Sequence, residues 1–558
     1  MSEISFLFDF VRYLLKYKKL LFLSVSFIAL DVGSELIIPI LIKVFIDIPE
    51  KKILYFSLLL LLIAGLNSLA RYFSIYFTNK VGQNILHEIR TELFSHIIRL
   101  KPIFFDRNQS GKLVIRVTND VENLNELFVS GLITFIADIL IIFGIIIVMF
   151  NLNFKLALVS CAVFPFMIYV ILFFRKRATE IYLSIRKKIA ELNSFTAEVI
   201  NGIKTVKIIP AYIFSSRRFR RLNEDYSEEV GKAIILFSFF FSSIIFFSTI
   251  SLASAFIYGG ISILKKEITF GTFVAFWYAL NKLYDPIWDF SEKYNIFQFA
   301  VAAAKRIKEI MNEEKEGALI IENRDKENQE ISGKIEFKNV FFSYDGRKDV
   351  LKGVSFKIEP GEKVSIVGIT GSGKTTIANL LTRMYEPQSG QILLDDKDIK
   401  SYPLYFVRRK ICFVHQDIFI LSGTVLENIT LGKYDERKIN EIEKIIKEFG
   451  VNISLSRKIS QDGVELSSGE KQIVSILRAI YHDPKIIIFD EATAFIDFQT
   501  EEKISHIIEN MMKDKVIIKI AHRISTALSS EKIILIKEGK AYTYKNIGRQ
   551  ELMEAIGL

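Results

Sequence analysis

Six long apolar runs fill the first 310 residues of this 558-residue chain. They lie at about 20–46, 54–78, 127–150, 155–174, 234–263 and 270–298. Each is close to the ~20 residues that an α-helix needs to cross the hydrocarbon core of a bilayer. Half of all residues are hydrophobic, and their concentration in these runs predicts an α-helical transmembrane domain of six spans. A soluble protein is thereby excluded.

The loops between the runs alternate in length and charge. Those after the first, third and fifth runs are short ("DIPEKK", "NLNFK", "LKKEITFG"), whereas those after the second and fourth are long and rich in Lys and Arg. Positive residues mark the cytosolic side of a membrane. We therefore expect a multi-pass protein of the cell (inner) membrane with both termini in the cytosol. The excess of basic residues behind the net charge of +10 orients the membrane domain, so nucleic acid is not expected as a partner.

The second part of the chain has a different pattern. Residues 312–334 are polar and charged and predict a linker. From Ile335 onward, short strands of Val, Ile and Phe alternate with amphipathic helices, which is typical of a soluble α/β domain. The predicted division is a transmembrane domain at 1–311, with long cytosolic extensions of its helices, a linker at 312–334 and a cytosolic α/β domain at 335–558.

A glycine-rich turn joins a predicted strand to a predicted helix in "VSIVGITGSGKTTIANLL". Gly368, Gly371 and Gly373 allow backbone N–H groups to close around phosphate oxygens at a helix N-terminus, whose dipole favours anions. Lys374 can reach the β- and γ-phosphates, and the Thr375 hydroxyl can ligate Mg²⁺. The turn predicts the P-loop of an α/β NTPase. The other polar residues assigned to this nucleotide site are Thr370, Ser372 and Thr376.

A hydrophobic strand with two carboxylates at its end follows in "IIIFDEAT". We expect Asp490 to hold Mg²⁺ and Glu491 to lie beside it. A carboxylate next to the metal ligand is well placed to accept a proton from the attacking water. Such a strand is common on its own, but after a P-loop it predicts ATP hydrolysis with Mg²⁺.

With these two motifs the chain resembles the ATP-binding cassette (ABC) exporter family, and the resemblance covers nearly the whole sequence. Tyr344 in "FFSYDG" is similar to the aromatic residue that stacks on adenine. Gln416 in "VHQDIFILSGTVLENI" is similar to the glutamine that contacts Mg²⁺ and reports to the membrane domain. "LSSGEKQ", with Ser467 and Gly469, resembles the signature motif, which closes on ATP held by the opposite subunit.

Two more motifs of the family follow in the expected order. Asp497 in "AFID" is similar to the aspartate of the D-loop, and His522 in "IKIAHRIST" is similar to the histidine that contacts the γ-phosphate. The resemblance implies ATP and Mg²⁺ as ligands. It also implies that Glu491, His522 and Gln416 carry the hydrolysis.

One chain supplies six spans and one nucleotide-binding domain, so the resemblance implies a dimer of half-transporters. ATP binding would clamp the two nucleotide-binding domains, and alternating access would export or flip lipids or amphipathic or hydrophobic compounds. The alternative is an ATP-gated channel or regulator on the same scaffold. The presence of both Glu491 and His522 favours turnover over gating.

Two cytosolic loops resemble those that connect the domains in exporters. "FFDRNQSGKLVIRVTNDVENLNELF" predicts a coupling helix near 102–112, and "LNSFTAEVINGIKTVKIIPAYIF" predicts another near 203–214. In the family the second reaches the partner's ATP-binding domain, where Tyr212 or Phe214 would fill a groove. The acidic residue often found there is replaced by "PAYIF".

Several ionisable residues lie inside the predicted spans. One interpretation is that they form internal ion pairs that set the register of the helices. The other is an aqueous cavity with an acidic bias along the substrate path, since such groups face a bundle interior or a water-filled cavity. The residues of this possible path are Asp31, Glu35, Arg71, Lys282, Asp285 and Asp289.

The signature motif departs from the family pattern Leu-Ser-Gly-Gly-Gln at Ser468 and Glu470. Ser467 and Glu470 have the S-x-x-E spacing of a capping box, which stabilises the start of a helix. Ser468 adds a side chain where the backbone should approach phosphate, and Glu470 adds a carboxylate near an anion. Both changes would weaken one composite ATP site. They favour a heterodimer with one fast and one slow site over a homodimer that tolerates them twice.

Overall fold

The computed structural model describes residues 12–48, 52–317, 330–448, 450–460, 463–490, 514–521, 524–545 and 547–556. The chain divides into two compact units. Unit 1 comprises Met1–Phe94 and Leu113–Asn312, and unit 2 comprises Ser95–Lys112 and Glu313–Leu558. The predicted boundaries of the linker stay a prediction.

The first 311 residues are helical over most of their described length. The helices are α1 (Lys18–Asp47), α2 (Ile53–Ile97), α3 (Pro102–Arg107), α4 (Ser110–Ile115), α5 (Val121–Glu126), α6 (Ile133–Leu152), α7 (Phe154–Cys161), α8 (Phe164–Asn201), α9 (Ile203–Ile208), α10 (Tyr212–Leu264) and α11 (Phe270–Met311). Two π-helical turns, Arg116–Asp120 and Leu127–Leu132, join α4, α5 and α6 into one rod.

Five helical stretches in the described residues are long and apolar enough to cross a membrane. They are Lys18–Asp47, Ile53–Ile97, Ser110–Leu152, Phe154–Asn201 and Tyr212–Leu264, and they contain the first five predicted runs. The sixth predicted run lies in α11, which is a continuous helix with several charged residues along its length. The prediction of a helical membrane domain is confirmed.

The exposed apolar side chains of helix α6 indicate that lipid surrounds unit 1. Ile145 and Met149 are buried on one face, whereas Phe143 is 64% exposed and Ile147 is 60% exposed on the others. A surface helix of a soluble protein is polar on its outer face. The inward face of α6 packs into a core that also contains Phe240 of α10.

The described residues of unit 2 form three sheets. The strands are β1 (Ile335–Phe342), β2 (Leu351–Ile358), β3 (Lys363–Val367), β4 (Ser389–Leu394), β5 (Lys397–Asp398), β6 (Ile411–Val414), β7 (Gly423–Thr424), β8 (Lys458–Ile459), β9 (Ile486–Asp490), β10 (Val516–Ile520), β11 (Lys532–Lys537) and β12 (Lys540–Lys545). The six-stranded sheet has the order β12-β11-β3-β10-β9-β6, and an antiparallel sheet has the order β2-β1-β4-β5. Strands β7 and β8 form a separate pair.

The six-stranded sheet is parallel except for β12, which pairs antiparallel with β11. All five residues of β9 are buried, as expected for a parallel sheet that is covered on both faces. From Glu313 onward, the helices among the described residues are α12 (Lys374–Leu381), α13 (Leu404–Lys410), α14 (Val425–Thr430), α15 (Glu436–Glu448), α16 (Ser468–His482), α17 (Ile524–Leu528) and α18 (Arg549–Ile556). Ligands of such folds bind beyond the carboxyl ends of the strands.

A short early segment of the chain, Ser95–Lys112, belongs to unit 2. Leu100 forms a β-bridge with Lys315, and the Glu316 amide donates to the Arg99 carbonyl at 2.7 Å. Helix α3 covers the first half of the predicted coupling helix at 102–112. It ends because the backbone of Asn108 is extended.

The second predicted coupling helix, near 203–214, corresponds to α9 and the start of α10. Pro210 lies between the two helices, and α10 begins at Tyr212. Tyr212 is 66% exposed and Phe214 is 65% exposed. Their docking on a partner stays a prediction.

Candidate functional site

The P-loop lies between β3 and α12, as its sequence predicts. The Lys374 side chain is only 4% exposed, and its Nζ donates to the carbonyl oxygens of Gly368 at 2.9 Å and Ile369 at 3.1 Å. The ammonium is thus held inside the turn at the N-terminus of α12. An anion bound by the backbone N–H groups there would meet this fixed positive charge.

Two glycines of the turn cannot be replaced by larger residues. A Cβ at Gly368 would lie 2.3 Å from the carbonyl oxygen of Ile536 on β11. Gly373 precedes α12 with φ of +105°, a backbone conformation that glycine adopts at little cost. The Ser372 hydroxyl beside it is buried and has no hydrogen-bond partner within the described residues. A phosphate oxygen would satisfy this hydroxyl, so the loop fits a nucleotide.

The candidate Mg²⁺ ligands come from the start of α12 and from the ends of two neighbouring strands. The Thr375 hydroxyl donates to Oδ2 of Asp490 at 3.1 Å, and Asp490 is buried at the end of β9. Gln416 lies two residues beyond β6, whose Val414 pairs with Phe489 of β9. Hydroxyl, carboxylate and amide oxygens are the ligands that Mg²⁺ prefers, so these residues fit the ion.

Tyr344 lies directly beside the P-loop helix. Its hydroxyl is 3.1 Å from Oγ1 of Thr376 and accepts from Nδ2 of Asn379 at 3.3 Å. The edge of its ring meets Phe342, with ring centroids 4.9 Å apart. The side chain is 39% exposed. These contacts fix an exposed aromatic ring next to the phosphate loop, as a stacking residue for adenine requires.

The signature motif opens α16, and the predicted capping box is confirmed. The Ser467 hydroxyl accepts from the Glu470 amide at 3.1 Å, and the Ser467 amide donates to the Glu470 carboxylate at 2.8 Å. Arg457 also donates to this carboxylate at 2.7 Å. Burial alone would raise the pKa of Glu470, but the Ser467 amide and the Arg457 guanidinium hold it below its usual value. Gly469 is buried, whereas Ser468 is exposed.

Three of the predicted site residues, Glu491, Asp497 and His522, lie outside the described residues. Their roles stay predictions. Of the other polar residues of the P-loop, Thr370 lies in the exposed turn and Thr376 is buried in the first turn of α12.

Several ionisable residues of the predicted spans form ion pairs or hydrogen bonds. Lys282 of α11 pairs with Glu35 of α1 at 3.1 Å and with Asp285 at 3.0 Å. Asn67 of α2 donates to Oδ1 of Asp31 at 3.1 Å, and Arg71 follows one turn later on α2. The side chain of Asp289 is not among those described.

A cleft of about 460 Å³ lies beside these charges in unit 1. Its polar lining comes from α10, with Ser248 and Thr249, and from α11, with Asn281, Lys282 and Asp285. Lys282 and Asp285 therefore form an ion pair and also line the cleft. The substrate path itself stays a prediction.

Two further charge pairs of α11 were not predicted from the sequence. Lys293 pairs with Asp138 of α6. Nε of Arg306 donates to Asp120 at 2.8 Å, and the Asp120 side chain is only 5% exposed. Because 155 and 186 residues separate the partners, no local spacing could have revealed them. Both pairs hold α11 to the rod that contains α6.

Comparison with known proteins matches both halves of the chain. Residues 20–286 match the family described as ABC transporter transmembrane region, and residues 351–494 match the family described as ABC transporter. The ABC transporter ATP-binding protein YknV of Bacillus subtilis (strain 168) is 34% identical over 95% of this chain and 90% of its own length. The chain belongs to the ABC transporter family.

Other members of the family carry names that describe their cargo. An ATP-dependent lipid A-core flippase of Syntrophus aciditrophicus (strain SB) is 30% identical over 90% of this chain and 84% of its own length. A putative multidrug export ATP-binding/permease protein of Bacillus subtilis (strain 168), YgaD, is 28% identical over 98% and 96%. The chain is an ABC exporter half-transporter, a multi-pass membrane protein whose cytosolic domain binds ATP and couples its hydrolysis to transport.

Proposed function

We propose that this half-transporter exports or flips lipids or amphipathic, hydrophobic compounds by alternating access as a dimer. The observation that carries the proposal is that Lys374, Thr375 and Asp490 lie together at one candidate nucleotide site. The described part of the same chain contains five strongly apolar helical stretches. The relatives named for lipid flipping and multidrug export support the choice of cargo class.

ATP is held by the P-loop residues, and Tyr344 stacks on its adenine. Thr375, Asp490 and Gln416 would hold Mg²⁺, which neutralises charge on the phosphates. Glu491 orients the attacking water and takes its proton, and His522 contacts the γ-phosphate. The site is complete only when a partner's signature motif closes on it, as Ser467 and Gly469 of this chain would close on the partner's ATP, so the active species is a dimer.

The partner in this dimer is a second half-transporter, and a heterodimer is favoured over a homodimer. Ser468 supports the asymmetry, because it adds a side chain at the face that meets the nucleotide. The partner's signature would complete the fast site on this chain's P-loop. The protein resides in the cell (inner) membrane with both termini in the cytosol, as the basic cytosolic loops indicate.

An ATP-gated channel or regulator remains the second candidate. It shares the ATP site and the helices, but it does not need the general base. Retention of Glu491 favours the exporter, since gating requires binding energy and not turnover.

The test is ATP hydrolysis by Glu491→Gln in lipid nanodiscs. If Glu491 takes the proton from water, its amide should keep ATP affinity while hydrolysis falls by about 10²–10⁴-fold, the usual worth of a general base. The nucleotide-binding domains should then accumulate in the closed, ATP-bound state. Asp490→Asn is the matched control. Asp490 adjoins Glu491, but its substitution removes a proposed Mg²⁺ ligand and leaves the proposed base in place.

Hydrolysis is compared across a panel of phospholipids, lipid A-like glycolipids and amphipathic drugs. Stimulation by one class identifies the cargo. Near-normal hydrolysis by Glu491→Gln rejects its role as base. Ion conductance that depends on ATP binding but survives in Glu491→Gln favours the channel.

A further inference from the structure

Tyr385 lies between the proposed adenine site and the segment that includes α3. It follows α12 by four residues, and its ring meets the ring of Tyr344 edge-on, with centroids 5.1 Å apart and an interplanar angle of 85°. It also contacts Phe342 of β1, at 5.7 Å between centroids. Edge-to-face pairs at these distances are attractive and hold both rings in a defined orientation. Any shift of the Tyr344 ring therefore changes its contact with the ring of Tyr385.

The hydroxyl of Tyr385 contacts the predicted coupling helix near 102–112. It donates to the carboxylate of Asp106, which lies on α3. Burial and this hydrogen bond both raise the pKa of Tyr385. The phenol therefore stays protonated and remains a donor at any physiological pH. Hydrogen bonds to a carboxylate are stronger than those between neutral groups.

The segment around α3 is held to unit 2 at further points. Leu100 bridges to Lys315, and Lys101 pairs with Glu314. Glu316 then makes a bidentate pair with Arg408 of α13, with both N···O distances at 2.7 Å. These contacts fix the N-terminal side of α3. Asp106 is near the opposite, C-terminal end, and there it is held by Tyr385.

We propose that Tyr385 is a positioning residue that reports occupancy of the adenine site to α3 within the same chain. The inference rests on the proposed stacking of adenine on Tyr344. When adenine stacks on the Tyr344 ring, it restrains that ring further and with it the ring of Tyr385, whose hydroxyl holds Asp106 and the C-terminal turn of α3. The communication begins at the base of the nucleotide and not at its phosphates.

The test is hydrogen–deuterium exchange of the full chain in nanodiscs, with and without Mg-ATP. Residues 366–380 report nucleotide binding at the P-loop, and residues 102–112 report α3. In the natural protein ATP should slow exchange in both, by about fivefold in α3, the worth of one hydrogen bond of ordinary strength. Tyr385→Phe keeps the ring and removes the hydroxyl. It should lose the slowing at 102–112 and keep it at 366–380.

Tyr405→Phe is the matched control, since the Tyr405 hydroxyl accepts from Arg409 on the same helix and should leave both responses intact. Asp106→Leu should behave as Tyr385→Phe does. The proposal is overturned if Tyr385→Phe retains the ATP response of α3, if it loses the response at both segments, or if the natural protein shows none at α3. Failure of ATP to protect 366–380 in the natural protein would instead reject the proposed ATP site.

Discussion

Among single residues, Glu470 shows how a local contact changes the meaning of a substitution. Its carboxylate accepts from the Ser467 amide and from Arg457. The negative charge is therefore neutralised at the start of α16, where the helix dipole also favours it. Of the two departures from the family pattern, Ser468 is the one that is exposed at the helix start.

The first prediction separates these two departures. Ser468→Gly should raise ATP hydrolysis by the chain purified alone about tenfold, equivalent to about 1.4 kcal/mol, because the backbone can then approach the phosphate. Glu470→Gln should change the rate less than about twofold, since glutamine also serves in a capping box. The double variant should match Ser468→Gly, as measured by steady-state phosphate release in nanodiscs. A rise with Glu470→Gln alone, equal to that of the double variant, would show that the carboxylate does reach the nucleotide.

The sequence predicted much of the ATP site because its motifs are local. A P-loop brings glycines, lysine and threonine together within one turn, and the S-x-x-E spacing brings Ser467 to Glu470. The partner Arg457 could not be predicted, because it precedes Glu470 by 13 residues across a loop. No helical or strand period relates the two positions.

At the scale of elements, α11 differs from the five more apolar helices through its charges. Lys282 bridges Glu35 of α1 and Asp285 of its own helix. The Lys282 side chain is 31% exposed and that of Glu35 is 19% exposed. Removal of one partner leaves a half-buried charge without compensation, which costs more than the pair itself contributes.

The second prediction compares the loss of one partner of this pair with the loss of both. Lys282→Met should lower the free energy of unfolding by about 1–2 kcal/mol, less than for a fully buried pair because solvent screens it. Lys282→Met/Glu35→Gln should recover part of the loss. Thermal unfolding in nanodiscs measures both, and Lys265→Met, at an exposed position, is the control. If stability is unchanged while cargo-stimulated hydrolysis is lost, the residues act on the substrate path and not as a structural pair.

Periodicity predicted the existence of α11 but not its partners. Apolar residues at helical spacing indicate a helix whatever lies beside it. The pairing of Lys293 with Asp138 depends on which helices pack together. Helix packing is determined by side-chain shape over the whole of unit 1. The predicted coupling helix at 102–112 was too long, since the backbone of Asn108 is extended and ends α3 at Arg107.

At the scale of the whole molecule, one chain provides one P-loop and one signature motif. The proposed site needs one of each from different chains, so ATP hydrolysis should require a second subunit. The preference for a heterodimer predicts that the chain alone works poorly.

The third prediction concerns stoichiometry. The chain purified alone should form few stable dimers, and its ATP hydrolysis should be at least about tenfold slower than in its native complex, as expected when a signature fails to stabilise the transition state. Native mass spectrometry in nanodiscs and phosphate release measure the two quantities. A stable homodimer with fast hydrolysis, little changed by Ser468→Gly/Glu470→Gln, would contradict the asymmetric assembly.

The membership of Ser95–Lys112 in unit 2 has a consequence for synthesis. Asp106 leaves the ribosome 279 residues before Tyr385. At roughly 5–20 residues per second, this is a delay of about 15–55 seconds. During that interval Asp106 lacks the Tyr385 hydroxyl that binds it in the finished protein. The order of translation thus leaves this early segment without its partners in unit 2 until the nucleotide-binding domain has been made.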